Sequence, residues 1–322
     1  MKANKGSAQR PNDTSALPVP YSLEARYGSG HDRALVLGGG GIFFIAWQVS
    51  YMHELAVRGV DLAKASLITG TSAGSVVAAI LAGGRLELAR RQIAVLARVP
   101  TLVAAMAPAE DLRPSQTRAL DLFRNATDAD PDTIRHIGHA ALAADAAPAG
   151  KIRRSVAGVL AMRKWPAPSL HIATVDTYTG ERLVVRHDSG VSVAAAAAAS
   201  SSVPGLFSPQ PLVDRRCMDG GVSGTGTNGD LAVGARAVLV LSLGANAPKG
   251  EAMMTIAPDS VDTEVAAMRA AGGEVLVRGP LEMDLATLMD PASIPAAVAM
   301  GQEQAVSDAA AIAAIWGANT DA

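Results

Sequence analysis

Two stretches near the start of the chain show the same order of apolar and polar positions. In each, a short apolar run is followed by a glycine turn and then by a helix-forming segment. The first unit has an apolar run at 33–37, four glycines at 38–41 and apolar residues at helical spacing over 42–58. The second has an apolar run at 66–69 and an Ala/Val-rich segment over 72–83. Two successive strand–turn–helix units predict a largely parallel sheet with helices on both faces.

The rest of the chain divides into a helical segment and a second α/β part. Residues 85–166 mix charged and apolar positions, are punctuated by prolines and show no clear strand. This pattern predicts a helical insertion beside the sheet, which could act as a cap or lid. After it, the pattern predicts strands at 170–175, 183–186, 237–243 and 274–278, a hairpin at 212–218, and helices at 191–201, 260–271 and 294–316.

The first 32 residues differ in character from everything that follows. They are polar, rich in Pro, Ser and Gly, and lack the apolar core of a secretory signal. We therefore predict a flexible polar tail over 1–32 and one α/β domain over 33–322.

Composition narrows the classes of function. Apolar residues make up 49% of the 322 residues, which is enough for a sizeable core. Aromatic residues are only 3% and the net charge is −2, so we expect no nucleic-acid partner. Cys217 is the single cysteine, which rules out an intrachain disulfide and fits a reducing compartment. No segment approaches the roughly 20 apolar residues of a membrane-spanning helix. We expect a cytoplasmic protein whose membrane contact, if any, is peripheral, and the oligomeric state is open.

The second glycine turn carries a candidate nucleophile, Ser72. It lies in Gly70-Thr71-Ser72-Ala73-Gly74, between an apolar run and a helix. A Gly-x-Ser-x-Gly turn between a strand and a helix exposes the serine hydroxyl, and the helix N-terminus favours negative charge beside it. The alternative is a glycine-rich turn that only packs the helix against the sheet.

A nucleophilic serine needs a base, and the histidines do not offer one. In α/β-hydrolases a histidine comes last in the triad order, whereas the last histidine here is His187. His136 and His139 could share a helix face, but no third ligand is evident, so we predict no metal site. Asp219 remains, between a short apolar strand and the glycine pair 220–221, where a carboxylate could take the serine proton directly. The alternative is an ordinary Asp-Gly turn.

Three short blocks resemble those of the patatin-like phospholipases. They are Gly38–Gly41, Gly70–Gly74 and Asp219–Gly221, in that order, and Pro204-Gly205-Leu206-Phe207 fits the same pattern. The resemblance covers about residues 33–245. It implies an α/β protein with a three-layer α/β/α patatin-like fold, a mostly parallel central sheet, here with a helical cap insertion, and calcium-independent hydrolysis of acyl esters in lipids.

The resemblance also implies roles for individual residues. Ser72 would be the nucleophile that forms an acyl-enzyme, and Asp219 the base that later activates water. The backbone N–H groups of Gly39, Gly40 and Gly41 would form the oxyanion hole. The partner is a lipid or ester substrate, and no cofactor is implied.

The chain departs from the family pattern directly after the glycine loop, where Phe43 and Phe44 stand. If Phe44 replaces a glycine with positive φ, the oxyanion hole is altered. If the segment is already helical, phenylalanine is tolerated. We expect Phe43 and Phe44 to wall an acyl pocket, with plain core packing as the alternative.

We therefore expect a serine esterase or lipase of patatin type, acting through Ser72 and Asp219. The alternative is a lipid- or acyl-ligand-binding protein with weak or no turnover, which Phe43 and Phe44 would explain. Nucleotide binding through the first glycine loop is disfavoured. No Gly-Lys-Ser/Thr follows this loop, and its spacing does not match Gly-x-Gly-x-x-Gly, because Ile42, Phe43 and Phe44 follow Gly41.

A basic cluster lies within the predicted insertion. Lys151–Arg154 and Arg163-Lys164 form it, and the apolar stretch 99–107 lies in the same insertion. Together they could contact an anionic lipid surface. Core packing beside a solvated charged face is the other interpretation.

Overall fold

The computed structural model describes residues 17–98, 111–162, 164–246 and 259–317. The helices are α1 Gly41–Val57, α2 Ala73–Ala82, α3 Leu86–Leu96, α4 Pro114–Arg124, α5 Pro131–Ala143, α6 Ala149–Leu160, α7 Val193–Ser200, α8 Ser260–Ala270 and α9 Ile294–Trp316. The strands are β1 Arg33–Leu37, β2 Leu67–Gly70, β3 Leu170–Asp176, β4 Arg182–Val185, β5 Gln210–Leu212, β6 Arg215–Asp219, β7 Ala237–Leu241 and β8 Glu274–Arg278. The element types predicted at these positions are confirmed, and β1, β8 and α9 have the predicted bounds.

The described strands form one sheet in the order β5-β6-β3-β2-β1-β7-β8, with β4 paired to β3. In the part of the sheet formed by β3-β2-β1-β7-β8, neighbouring strands run parallel. The strands β4, β5 and β6 pair in antiparallel fashion. The largely parallel sheet predicted from the two strand–turn–helix units is thus confirmed for the five strands β3-β2-β1-β7-β8. The strands β4, β5 and β6 form an antiparallel group at the β3 side of the sheet.

The sheet is covered by helices on both faces. Leu35 and Leu37 of β1 pack into the core that contains α1, α2 and α9. Ala34 and Val36, which alternate with them, pack into the core on the α8 side. Because successive side chains of a strand point to opposite faces, this division gives three layers, α/β/α.

The segment 85–166 contributes α3 to α6 and, in its described part, no strand. Phe123 of α4 and Ile137 of α5 pack against Met218 and Val222. This part of the segment therefore lies beside the end of β6, next to Asp219. Its motion as a lid stays a prediction, and the apolar stretch 99–107 lies outside the described residues.

The predicted tail 1–32 is only partly described, because residues 1–16 lie outside the described ranges. The described part packs against the domain and does not stand apart from it. Leu17 is buried, Val19 N–H donates to Arg182 O at 3.0 Å, and Val184 N–H donates to Leu17 O at 3.2 Å. Residues 17–19 thus pair along β4, which satisfies backbone groups that the edge of the sheet would otherwise expose.

Among the helices of the described chain, none combines the length and apolar character needed to cross a membrane.

Candidate active site

The strand register brings the ends of β2 and β6 to neighbouring positions on β3. Gly70, the last residue of β2, pairs with Ile172. Asp219, the last residue of β6, pairs with Thr174, two residues further along the same strand. The turns that follow β2 and β6 therefore meet, and Ser72 and Asp219 line the same cavity.

Ser72 occupies a strained position on a sharp turn. Its backbone has φ +52° and ψ −124°, in a region that residues with a side chain rarely adopt. Strain of this kind costs about 1–3 kcal/mol and persists only where the surroundings enforce it. The turn is so tight that position 74 must be glycine, because a Cβ there would lie 2.1 Å from Leu37 O. The glycine flank predicted for this turn has a direct steric reason.

Two serines at the end of α7 hold the turn in place. Ser72 N–H donates to Ser200 Oγ at 2.9 Å. The Ser201 hydroxyl donates to Ser72 O at 3.1 Å. Neither serine was predicted from the sequence. The signal available was the position of three serines, 200–202, directly after a run of alanines that lets α7 approach α2 closely.

Asp219 is buried, and burial sets its acidity. Its side chain accepts a hydrogen bond from Gly221 N–H at 2.8 Å through Oδ1, whereas Oδ2 has no hydrogen-bond partner among the described residues. Burial raises the pKa of Asp219 to about 7, and the Gly221 N–H and the nearby Ser72 hydroxyl lower it only in part. A carboxylate with a pKa near neutrality and a free oxygen beside a serine is suited to accept a proton.

The glycine loop matches the predicted oxyanion hole only in part. Gly39 N–H already donates to Gly226 O at 3.1 Å, so in this structure it is not available to an oxyanion. The N–H groups of Gly40 and Gly41 have no acceptor among the described residues. The same holds for Ala73 N–H, which opens α2 and lines the cavity. The candidate donors are therefore Gly40, Gly41 and Ala73.

Phe43 and Phe44 do not line the cavity, which corrects the expectation that they wall an acyl pocket. The helix α1 begins at Gly41, so both residues are helical, and both are buried in the core. Phe44 stacks on Trp47, with ring centroids 5.5 Å apart. Helical spacing turns the neighbouring residues Ile42 and Ile45 toward the cavity instead.

The cavity is mainly apolar and has charge at few positions. Its apolar lining residues include Ile42, Ile45, Val76, Leu120, Phe123, Ile152, Val156, Leu206 and Leu288. Arg124 and Lys151, both exposed, are its cationic lining residues, and Asp219 is its acidic one. In the described part of the chain no histidine lines it, and no group of three metal-ligating side chains is found.

Comparisons with known proteins identify the family. The family model described as Patatin-like phospholipase matches residues 35–227, more than half of the chain. A search of curated proteins found no match. Among solved structures, VipD from Legionella pneumophila is 14% identical with a TM-score of 0.39, and the alignment covers 87% of this chain and 67% of VipD. The type III effector protein ExoU is 18% identical with a TM-score of 0.31, covering 85% of this chain and 53%, about half, of ExoU. This chain belongs to the patatin-like phospholipase family, whose members are lipid acyl hydrolases.

Proposed function

We propose that this protein is a serine esterase that hydrolyses acyl ester bonds of phospholipids or other lipids through Ser72 and Asp219. The observation that carries the proposal is the pairing of these two residues in one apolar cavity. Family membership supports the reaction type, and the apolar lining supports an acyl chain as the group that is bound.

The reaction would proceed in two halves. Asp219 accepts the proton of the Ser72 hydroxyl while Oγ attacks the ester carbonyl, and the oxyanion is stabilised by the N–H groups of Gly40, Gly41 and Ala73. The carbonyl re-forms, the alcohol leaves with the proton from Asp219, and an acyl-enzyme remains. Asp219 then takes a proton from water, which attacks the acyl-enzyme and releases the carboxylic acid, and Ser72 regains its proton.

The N-terminus of α2 supports the same assignment. Ser72 directly precedes this helix, and its first N–H groups carry partial positive charge next to the position where the oxyanion forms. The glycine loop 38–41 contains no cationic side chain, so in this scheme the backbone donors and the helix provide the stabilisation.

A lipid-binding protein without turnover was the alternative, and its support came from Phe43 and Phe44. The helical start at Gly41 and the burial of both rings remove that reason for doubting the loop. Incubating the wild-type protein with a fluorophosphonate probe, with short- and long-chain nitrophenyl esters and with phospholipid decides between the two. Labelling and turnover are expected, and binding of lipid without either would favour the alternative.

We also propose that the basic face of α6 contacts anionic lipid. Lys151, Arg153 and Arg154 are exposed on this helix, while Ile152 and Val156 are buried against the core. Of these three residues of α6, Lys151 also lines the cavity. Contact through this face would therefore bring the cavity to the lipid. Arg163, part of the predicted cluster, lies outside the described residues.

Association with anionic vesicles is expected to weaken sharply between about 0.1 M and about 1 M salt, because the Debye length falls from about 10 Å to about 3 Å. Vesicle co-sedimentation measures it. Charge reversal at Arg153 and Arg154 should have the same effect, while Arg216→Glu, an exposed arginine outside the cavity, should not. Association that is independent of salt, or equal for zwitterionic vesicles, would count against the proposal.

A further inference from the structure

Asn228 bridges the two turns that carry the candidate catalytic pair. Its Nδ2 donates to Thr71 Oγ1 at 2.9 Å and to Gly220 O at 3.2 Å. Thr71 directly precedes Ser72, and Gly220 directly follows Asp219. We propose that Asn228 is a positioning residue that sets the separation of Ser72 and Asp219. This inference rests on the proposed function.

The orientation of the amide is determined by its neighbours. Oδ1 accepts from the Ser223 hydroxyl at 2.7 Å and from Arg182 Nη1 at 3.3 Å. A guanidinium can only donate and a carbonyl can only accept, so the Oδ1 side must face Arg182 and the Nδ2 side must face Gly220. A flipped amide would lose both contacts. Asn228 is fully buried, and no water is needed to satisfy it.

The backbone of Asn228 is held as firmly as its side chain. It has φ +53°, in the left-handed region that asparagine tolerates better than most residues. Its N–H donates to Thr225 Oγ1 at 2.8 Å, and the Thr225 hydroxyl in turn donates to buried Glu264 at 2.8 Å. The next N–H, at Gly229, also donates to Glu264, at 2.8 Å. The bridge is therefore attached to a loop that is held by hydrogen bonds to buried Glu264.

A buried ion pair anchors the other side of the amide. Arg182 donates to Asp230 at 2.5 Å and 2.8 Å, and both side chains are buried. The segment near the start of the described chain supplies further acceptors for the Arg182 guanidinium. Arg182 donates to Val19 O at 3.0 Å and to Pro20 O at 3.2 Å. Val19 and Pro20 thus contribute to the support of the candidate active site, because their carbonyl groups fix the guanidinium that orients Asn228.

The two donor bonds have a consequence for catalysis that is separate from stability. They join the turn after β2 to the turn after β6, and no substrate atom is involved. A small change in the separation of nucleophile and base reduces the rate of the chemical step, and a displacement of about 1 Å can lower it about 100-fold. Substrate binding in the apolar cavity should be little affected.

Asn228→Asp tests the bridge, since it keeps the size and the tolerance of positive φ but replaces both donated N–H groups with an acceptor. We expect kcat for a nitrophenyl ester to fall about 100-fold, with KM nearly unchanged. Asn246→Asp is the control, which makes the same chemical change at an exposed position. Asn246 Nδ2 also donates to two carbonyls, Gly279 O at 3.1 Å and Pro280 O at 3.0 Å, but Asn246 lies outside the cavity, and its kcat should stay at the wild-type value.

Thr71→Val removes the bond that Asn228 donates to Thr71 Oγ1 and the bond that this hydroxyl donates to Thr227 O at 3.3 Å. It keeps the bond from Asn228 to Gly220 O, changes the shape little and should lower kcat by a smaller factor. If Asn228→Asp does not fold, Thr71→Val decides, and an unchanged kcat overturns the inference. Where Asn228→Asp folds, wild-type kcat in that variant, or an equal loss in Asn246→Asp, overturns it as well. Wild type and Ser72→Ala are run in the same assay. Equal turnover by these two would refute the proposed function itself, which keeps the two failures apart.

Discussion

Ser72→Ala is expected to eliminate fluorophosphonate labelling and to lower ester turnover by about 10⁴-fold or more, the scale seen when a serine nucleophile is removed. In the proposed mechanism this hydroxyl forms the covalent bond, and the serine hydroxyls around it have other hydrogen-bond partners. Ser155, which also lines the cavity, donates its hydroxyl to Lys151 O at 3.2 Å. The hydroxyls of Ser75 and Ser201 both donate to Ser72 O, so they hold the turn and are committed to that carbonyl. Mass spectrometry of the labelled protein and initial rates with a nitrophenyl ester measure the two effects.

Ser307→Ala is a suitable control for this experiment. Its hydroxyl donates to Gln304 O within α9, and the residue lies outside the cavity. Labelling and turnover should equal those of the wild type. If Ser72→Ala keeps either the label or the turnover, another residue is the nucleophile and the assignment of Ser72 is wrong.

The fold was predictable where a single local pattern decides the structure. Apolar runs next to glycine turns located β1 and β2, and the 23-residue helix α9 had the predicted ends because helical periodicity persists over its whole length. The segment 17–19 was not predictable in this way. Its pairing with β4 depends on an open strand edge that forms only when the sheet is assembled, and a polar, proline-rich sequence carries no sign of it.

The candidate site was predictable to a similar extent. Gly70, Gly74 and Gly220 marked both turns because close backbone approach excludes a Cβ at each of them. Ser200 and Asn228 were not predicted, since each makes a hydrogen bond to a residue more than 100 positions away, Ser200 to Ser72 and Asn228 to Thr71. The orientation of Phe43 and Phe44 also depends on where α1 begins, and a shift of the helix start by one or two residues changes which side chains face the cavity.

Asp219→Asn is expected to lower kcat by about 10²- to 10⁴-fold, the usual contribution of a general base. Asparagine keeps the shape and can still accept the Gly221 N–H, but it cannot take a proton. In the wild type, kcat/KM should rise with pH up to about 7, the pKa that burial gives Asp219, and stay level above it. The pH profile of the wild type and the rate of the variant test the same group independently.

The same substitution should make the protein more stable at high pH. The pKa of Asp219 is raised to about 7 in the folded state, above the value near 3.9 expected in the unfolded chain. Between these values the folded state holds a proton that the unfolded state releases, so the free energy of unfolding falls as pH rises through this window. The asparagine side chain of the variant cannot ionise, and the variant therefore avoids this loss.

The melting temperature of Asp219→Asn should therefore exceed that of the wild type above pH 7 and converge with it near pH 4. Glu264, whose pKa burial also raises to about 7, adds the same slope to both proteins, so the difference between them reports Asp219 alone. Loss of activity together with gain of stability is what separates a catalytic carboxylate from one that supports the fold, because removing a structural carboxylate would lower both. Two results would contradict the assignment of Asp219 as a buried general base with a raised pKa. One is a variant that is less stable than the wild type at pH 8, and the other is a difference in melting temperature that does not vary with pH.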